Sequence, residues 1–311
     1  MKIFEKGLVS IIMPAYNASM FISQAIQSVI NQSYTNWELI IVEDCSTDNT
    51  KEILKKLNHP NIIIFYNTVN KGPGYNCRKA INCSKGEFIT RLDSDDIFTD
   101  GRLLEQITFF NNNPRHVFVS GNAQYINNNG DYIGFRNSVY NSEKLKWKIL
   151  FKNPIISSTV MFRNEIAHKN HIEFSNNYLS EDYEFWSNLL QFGKGEIVPN
   201  IWLKYRINPD GLTFKNVIEM NKNAIMVSYE LIVKLVFIDK NQHDNLLKWY
   251  NNENKLKDDN YDIYKLVLKK YSSKLGFFRK HEFYISQIIF RNFYQKILYK
   301  LIQIIKKANF R

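Results

Sequence analysis

From Leu8 to Pro14 the chain reads LVSIIMP, an apolar, β-branched run closed by turn chemistry. The next segment, SMFISQAIQSVINQ, places Phe21, Ile22, Ala25, Ile26, Val29 and Ile30 at helical spacing, with Ser19 as the expected N-cap. The alternation continues. WELIIVED reads as a strand, STDNTKEILKKL as a helix, NIIIFYN as a strand, GPGYNCRKAINCS as a helix entered through glycines, and GEFITRLDSDD as a fourth strand. This β-α-β-α-β-α-β order predicts an α/β fold, with a mostly parallel sheet flanked by helices on both faces.

Between about Thr108 and Arg206 the pattern is less regular. HVFVSGNAQYINNNGDYIGF predicts a hairpin around Asn129-Gly130. NPIISSTVMFRNEI contains another strand, LSEDYEFWSNLLQFG predicts an amphipathic helix with acids in its first turn, and EIVPNIWLKYRIN predicts a last strand pair. GRLLEQITFF is a helix to be capped by Thr99 or Asp100. From about Thr213 helical periodicity dominates, with a polar break at Asn251 to Asn260. The organisation expected is one α/β domain over 1–212, with a regular half (1–100) and a less regular half (101–212). A helical C-terminal region over 213–311 follows.

Ligands of parallel sheets bind beyond the carboxyl ends of the strands. Polar residues collect there. Asn17 follows the first strand, Glu43 and Asp44 the second, and Asn67 and Asn70 the third; Asp93, Asp95 and Asp96 follow the fourth. Two carboxylates ~5 Å apart repel by roughly 3 kcal/mol at an effective dielectric of 20. Several acids converging on one rim therefore point to a cation site, although a solvated turn and helix cap would use the same residues.

Composition narrows the class. The chain has 311 residues, 44% of them hydrophobic, enough for a large core. Cys45, Cys77 and Cys83 are odd in number and lack CxxC spacing, which fits a reduced, cytoplasmic setting. No apolar run reaches the ~18 residues of a membrane span, and the N-terminus does not read as a signal peptide. His168 and His171 have i,i+3 spacing, but two histidines alone do not make a metal site.

The net charge is +11, and residues 261–311 carry twelve Lys/Arg against Asp262 and Glu282. SQIIFRNFYQKILYKLIQIIKK in that tail has the spacing of a basic amphipathic helix. It suits an anionic membrane surface, with docking on the catalytic domain or on a second subunit of a homodimer as the alternative. A nucleic-acid-binding protein is a competing class. The interleaving of charge with apolar residues and the lack of a nucleic-acid motif argue against it.

Four blocks, VSIIMPAYNA, IIVEDCSTDNT, NKGPGYNCRKAINCSKGEFITRLDSDD and SEDYEFW, resemble the signature blocks of family 2 glycosyltransferases, in order and spacing, over about residues 8–210. The resemblance implies a GT-A fold, a catalytic domain over 1–212 with a nucleotide-binding half (1–100) and an acceptor half (101–212), and transfer of a sugar from a UDP-sugar donor with inversion. It implies an oligosaccharide or lipid-linked acceptor in bacterial surface polysaccharide synthesis (O-antigen, capsule or lipooligosaccharide), at the inner face of the plasma membrane.

By that resemblance Asp44 binds the nucleobase, with Glu43 beside it, and Pro14, Ala15, Tyr16 and Asn17 hold the nucleoside. Asn70 and Gly72 belong to the same nucleotide-sugar block. Asp93, Ser94 and Asp95 form the DxD element, with Asp95 and Asp93 on a divalent metal, Mn²⁺ or Mg²⁺. Asp182 is the catalytic base, with Glu181 next to it. Ser158 and Thr159 lie on the acceptor side, as does Trp186 if it stacks on a sugar rather than in the core. Arg206 faces the phosphates. The chain departs from the family where Cys77 and Arg78 stand in place of an Arg-Asn pair, leaving Arg78 to supply the charge. It departs again where Asn208 replaces a His.

The chemistry agrees with these residue types. Negative charge grows on a leaving diphosphate, for which a hard dication on oxygen ligands is the natural partner. An attacking hydroxyl must lose a proton, and a positioned carboxylate contributes typically about 10²–10⁴-fold.

Overall fold

The structure is a computed structural model that describes residues 2–176, 179–209 and 211–235. Its elements in order are β1 (Glu5–Ala15), α1 (Ile22–Ile30), β2 (Trp37–Glu43), α2 (Thr50–Lys55), β3 (Ile62–Tyr66), α3 (Pro73–Cys83) and β4 (Gly86–Arg91). There follow β5 (Ile97–Phe98), α4 (Arg102–Asn112), β6 (His116–Ile126), β7 (Tyr132–Phe135) and α5 (Ser142–Lys148). A 3-10 turn (Ser157–Thr159) leads to β8 (Met161–Arg163), α6 (Asn164–Lys169), α7 (Glu181–Leu189), β9 (Lys194–Arg206), α8 (Leu212–Lys215) and α9 (Val217–Leu235).

All nine strands form one sheet in the order β3-β2-β1-β4-β8-β6-β9-β5, with β7 paired to β6. The expected βαβ units are there: β1 pairs in parallel with β2 and β4, and β2 with β3. Beyond β4 the sheet is mixed, because β8 runs antiparallel to both β4 and β6. The hairpin at Asn129-Gly130 joins β6 to β7. The strand pair expected at the end is instead one long strand, β9, which runs parallel to β6 with register shifts along the pairing. Those irregularities let it continue through Pro199.

The unbroken apolar strands follow from burial on both faces. Val9, Ile11, Met13, Leu39 and Ile41 face a core shared with α1 and α4. The alternate residues Ile12, Ile40 and Val42 face a second core with α3, α6 and α7. Each such side chain contributes about 1.5–3 kcal/mol on burial.

Two helix starts differ from expectation. Ser19 does not cap α1, since its backbone N–H donates to Asp48 Oδ2 at 3.0 Å and the helix begins at Ile22 without a side-chain cap. Neither Thr99 nor Asp100 caps α4, whose N-cap is Gly101 in a left-handed conformation. Thr99 Oγ1 donates to the Ile201 carbonyl of β9 instead.

One compact unit covers Met1–Leu231, and a second, Ile232–Arg311, falls almost wholly beyond the described residues. The basic amphipathic helix, with its membrane-surface and dimer expectations, lies outside the described residues. Among the described residues no helix is long and apolar enough to cross a membrane.

Candidate active site

The ends of β1 and β2 are tied together. Asp44 N–H donates to the Ala15 carbonyl at 2.9 Å, and Asn17, at φ 48°, accepts from Thr47 N–H through Oδ1 at 2.9 Å. Tyr16 leaves an exposed ring at this rim, beside half-buried Pro14. Glu43 is fully buried, and its Oε1 accepts from Ser46 N–H at 2.6 Å.

Asp44, expected against a base, is only 1% exposed. Its Oδ1 accepts from Asn67 Nδ2 at 2.7 Å and from Lys71 N–H at 2.8 Å, and its Oδ2 from Gly72 N–H at 2.8 Å. The carboxylate thus fills the anion position at the start of α3, satisfying backbone donors that a helix start leaves open. Gly72 adopts φ 81° to turn its N–H toward it. This is a correction: here Asp44 closes the 67–72 loop, and the start of α3 is already supplied with an anion. Asn70 is exposed on that loop.

Asp93, Ser94, Asp95 and Asp96 follow β4. Asp93 N–H donates to Ser158 Oγ at 3.1 Å. Ser158 is in turn fixed by Arg102, a buried arginine whose terminal amines donate to the Ser158 carbonyl at 2.6 Å and to Thr90 Oγ1 at 2.8 Å. Burial and the neighbouring Asp93 charge push Asp95 up to about 6. Asp96 is raised further, by burial and by the charges of Asp95 and Asp93. A carboxylate raised in this way lacks counter-charge, so Asp95 and Asp93 fit a divalent ion. Mg²⁺ sites often use one or two carboxylates with substrate phosphates completing the shell. Among the described residues no group of three His, Cys, Asp or Glu side chains could hold a metal unaided.

Arg206 does not present its guanidinium to an open cleft. It donates to the Asp95 carbonyl at 2.8 Å, to the Asn127 and Asn128 carbonyls at 2.8 and 3.1 Å, and to Gln24 Oε1 at 2.9 Å. Its carbon lies 4.3 Å from the Phe21 ring centroid. It braces the Asp loop against the β6–β7 turn, which corrects the phosphate-facing expectation.

Asp182 and Glu181 open α7. Asp182 Oδ2 accepts from Ser157 Oγ and from Asn153 Nδ2, and among the described residues neither bond engages Oδ1. Trp186 Nε1 donates to Ser157 Oγ at 3.1 Å. Trp186 is fully buried among Phe162, Phe174 and Phe185. It is therefore a core residue that orients Ser157, not a sugar platform. Thr159 is also fully buried, donating to the Ile156 carbonyl at 2.7 Å, and Ser158 is turned to the Asp93 loop, so neither faces an acceptor. Arg78 points away as well, donating to the Phe174 carbonyl at 3.0 Å and lying 3.8 Å from Glu173.

The residue that joins the two acid groups was not anticipated. Arg91, the last residue of β4, donates through Nε to Asp93 Oδ1 at 2.7 Å and through a terminal amine to Glu181 Oε1 at 3.1 Å. Burial pushes Glu181 up to about 7, against the lowering effect of Arg91 and with the help of Asp182. A lone arginine ending an apolar strand gave one signal that was passed over: GEFITRL buries a cation that must have a partner. Ser157 and Asn153, which hold Asp182, carried no such signal.

The molecule is similar to known proteins at two levels. Solved structures share its fold: TarS of S. aureus in complex with UDP-GlcNAc aligns with a TM-score of 0.60 at 20% identity, covering 86% of this chain and 81% of that one. The mannosyltransferase PcManGT from Pyrobaculum calidifontis, in complex with GDP-Man and Mn²⁺, aligns with a TM-score of 0.57 at 13% identity over 91% of this chain and 79% of that one. In sequence, it is 34% identical over 189 residues to the UDP-Glc:alpha-D-GlcNAc-diphosphoundecaprenol beta-1,3-glucosyltransferase WfgD of Escherichia coli, covering 59% of this chain and 70% of that protein. The family profile described as Glycosyl transferase family 2 matches residues 10–170, just over half the chain. With the GT-A sheet in place and this match across its strand-end acids, the chain belongs to glycosyl transferase family 2.

Proposed function

We propose that this glycosyltransferase moves a sugar from a UDP-sugar to a hydroxyl of a lipid-linked glycan in bacterial polysaccharide synthesis, with inversion at the anomeric carbon. The observation that carries the reading is the placement of Asp182. One oxygen is fixed by Ser157 and Asn153, the other is engaged by neither, and Arg91 ties the adjacent Glu181 to the Asp93 loop. The activity of WfgD supports the lipid-diphosphate acceptor, and the TarS complex with UDP-GlcNAc supports a UDP-sugar donor.

In this reading Asp182 Oδ1 takes the proton of the acceptor hydroxyl as its oxygen forms the new bond to the anomeric carbon. The bond to the diphosphate breaks on the opposite face, and the electron pair leaves with UDP. A single displacement needs one protein carboxylate at that centre. A divalent ion, Mn²⁺ or Mg²⁺, supplies Lewis-acid counter-charge to the diphosphate when bound, with Asp95 and Asp93 as its protein ligands; the Mn²⁺ in the PcManGT complex supports that choice. Ser94 lies between these ligands, and Tyr16, Asn17, Asn70 and Gly72 line the nucleotide rim. Glu43 and Asp44 shape its floor. Residues 1–212 form the catalytic domain in this scheme. The basic tail suits a peripheral position at the cytoplasmic membrane face.

The test is UDP release from a panel of UDP-sugars with undecaprenyl-diphosphate-linked saccharides as acceptors. Turnover should need Mn²⁺ or Mg²⁺, stop with EDTA, and fall about 100-fold or more in Asp95→Asn. EDTA-insensitive turnover would remove the metal from the scheme.

A further inference from the structure

Arg91 sits where two distant parts of the chain meet. Its two carboxylate partners, Asp93 and Glu181, are on the loop after β4 and on the first turn of α7. The side chain is 9% exposed, and the Phe174 ring centroid lies 5.8 Å from its guanidinium carbon. Phe174 stacks on Phe185 of α7 with centroids 4.1 Å apart. The guanidinium is therefore packed against the same helix that its charge grips. Among the described residues no other lysine or arginine pairs with Asp93 or Glu181. One cation is divided between an acid of the donor loop and the residue next to Asp182.

We propose that Arg91 is a positioning residue that couples occupancy of the donor-diphosphate loop to the placement of the base-bearing end of α7. This rests on the reading of Asp93 and Asp182 given above. A guanidinium is a rigid planar fork, so its two bonds keep a fixed relation to each other. A change in how strongly Asp93 holds one edge is felt at the other edge by Glu181. Glu181 and Asp182 are consecutive on the first turn of α7, so a displacement of the first carries the second. The coupling is reciprocal by thermodynamic necessity: a change at Glu181, which belongs to the acceptor side, must alter affinity at the donor side. A lysine keeps the charge but lacks the rigid planar fork that fixes the two bonds relative to each other.

The experiment is calorimetric titration of the full chain with UDP in the presence of Mn²⁺, for wild type, Glu181→Gln, Arg91→Lys and the double variant. Glu181→Gln should change UDP affinity by about fivefold, and in the Arg91→Lys background the same substitution should change it by less than about twofold. In turnover, with kcat referred to the UDP-binding sites counted in the titration, Arg91→Lys should lower kcat about tenfold while the donor KM stays within about twofold; that normalisation keeps any unfolded fraction out of kcat. Equal fold-changes in both backgrounds, or none in either, overturn the coupling. If wild type binds UDP and the cycle is additive, only the coupling fails. If wild type does not bind UDP with Mn²⁺, the donor-site reading fails and the coupling falls with it. Should Arg91→Lys not fold, the cycle is run between Glu181→Gln and Arg91→Gln, where loss of the Glu181 effect again supports the bridge and additivity rejects it.

Discussion

On the donor side, four parallel strands deliver their polar residues from their carboxyl ends into loops that bind one another. Asn17 joins Thr47, Asp48 joins Ser19, and Asp44 joins Gly72, across 28 to 30 residues of sequence. On the acceptor side, β8 runs against its neighbours, and the polar groups arrive through a 3-10 turn and a helix start. There the connections are made by arginines: Arg102 to Ser158, Arg91 to Glu181, and Arg206 to the Asp95 carbonyl, across 56, 90 and 111 residues. The donor rim shares its support among many short bonds. The acceptor rim concentrates it in three buried or half-buried cations, so single substitutions there should do more damage.

Substitutions can break this contrast. The largest effect belongs to Asp182→Asn, which should lower kcat by about 10²–10⁴ and leave UDP affinity within about twofold. A parallel loss of UDP binding would mean that the two rims do not act separately. Next is Arg102→Leu, which strands the Ser158 carbonyl in the core, leaves Thr90 Oγ1 only its bond to the Val160 carbonyl, and should cost about 3 kcal/mol in urea denaturation. Asn17→Ala on the donor rim should cost only about 1 kcal/mol; equal losses would erase the difference. Gly74→Ala comes between these two, at about 2 kcal/mol, because a Cβ there would lie 2.3 Å from the Ser175 carbonyl oxygen.

The smallest signal is a pH slope. Glu181 titrates at about 7 in the fold against 4.5 ordinarily. The folded state therefore holds more proton between those values. The stability this contributes is fully present below about 4.5 and is lost as the pH rises through about 7. Denaturation across that window should show a falling slope in wild type, to which Asp95 and Asp96 also contribute, and one shallower by up to one proton in Glu181→Gln. Identical slopes would remove Glu181 as the group responsible.

The same contrast explains what could be read from the sequence. β1 to β4 were legible because strands buried on both faces appear as unbroken runs, and the helices between them show a clear 3.6-residue period. The acids at their ends then fell at one rim by topology alone. The acceptor rim was legible only as a motif around Asp182. Its supports come from far along the chain: nothing near Arg91 announces Glu181, and nothing near Arg206 announces the Asp95 carbonyl. The linear sequence leaves Trp186 between core and sugar platform, and only the resemblance puts Thr159 near an acceptor; both are buried because α7 packs against Phe162 and the 3-10 turn against Gly121. The cap at Ser19 failed because the helix starts later, with Phe21 at its N-cap, while Asp48 on the neighbouring loop holds the Ser19 backbone outside it.

The burial of Cys77 has a practical corollary. Its thiol is fully enclosed on α3 and pushed up to about 12, mainly by burial, while Cys45 and Cys83 are partly exposed. Since the thiolate is the reactive species, maleimide dyes should label the latter two and spare Cys77 in the native protein. With Cys83→Ser, a single fluorophore would sit at Cys45, directly after Asp44, where its emission could report nucleotide arrival without any tag on the catalytic acids.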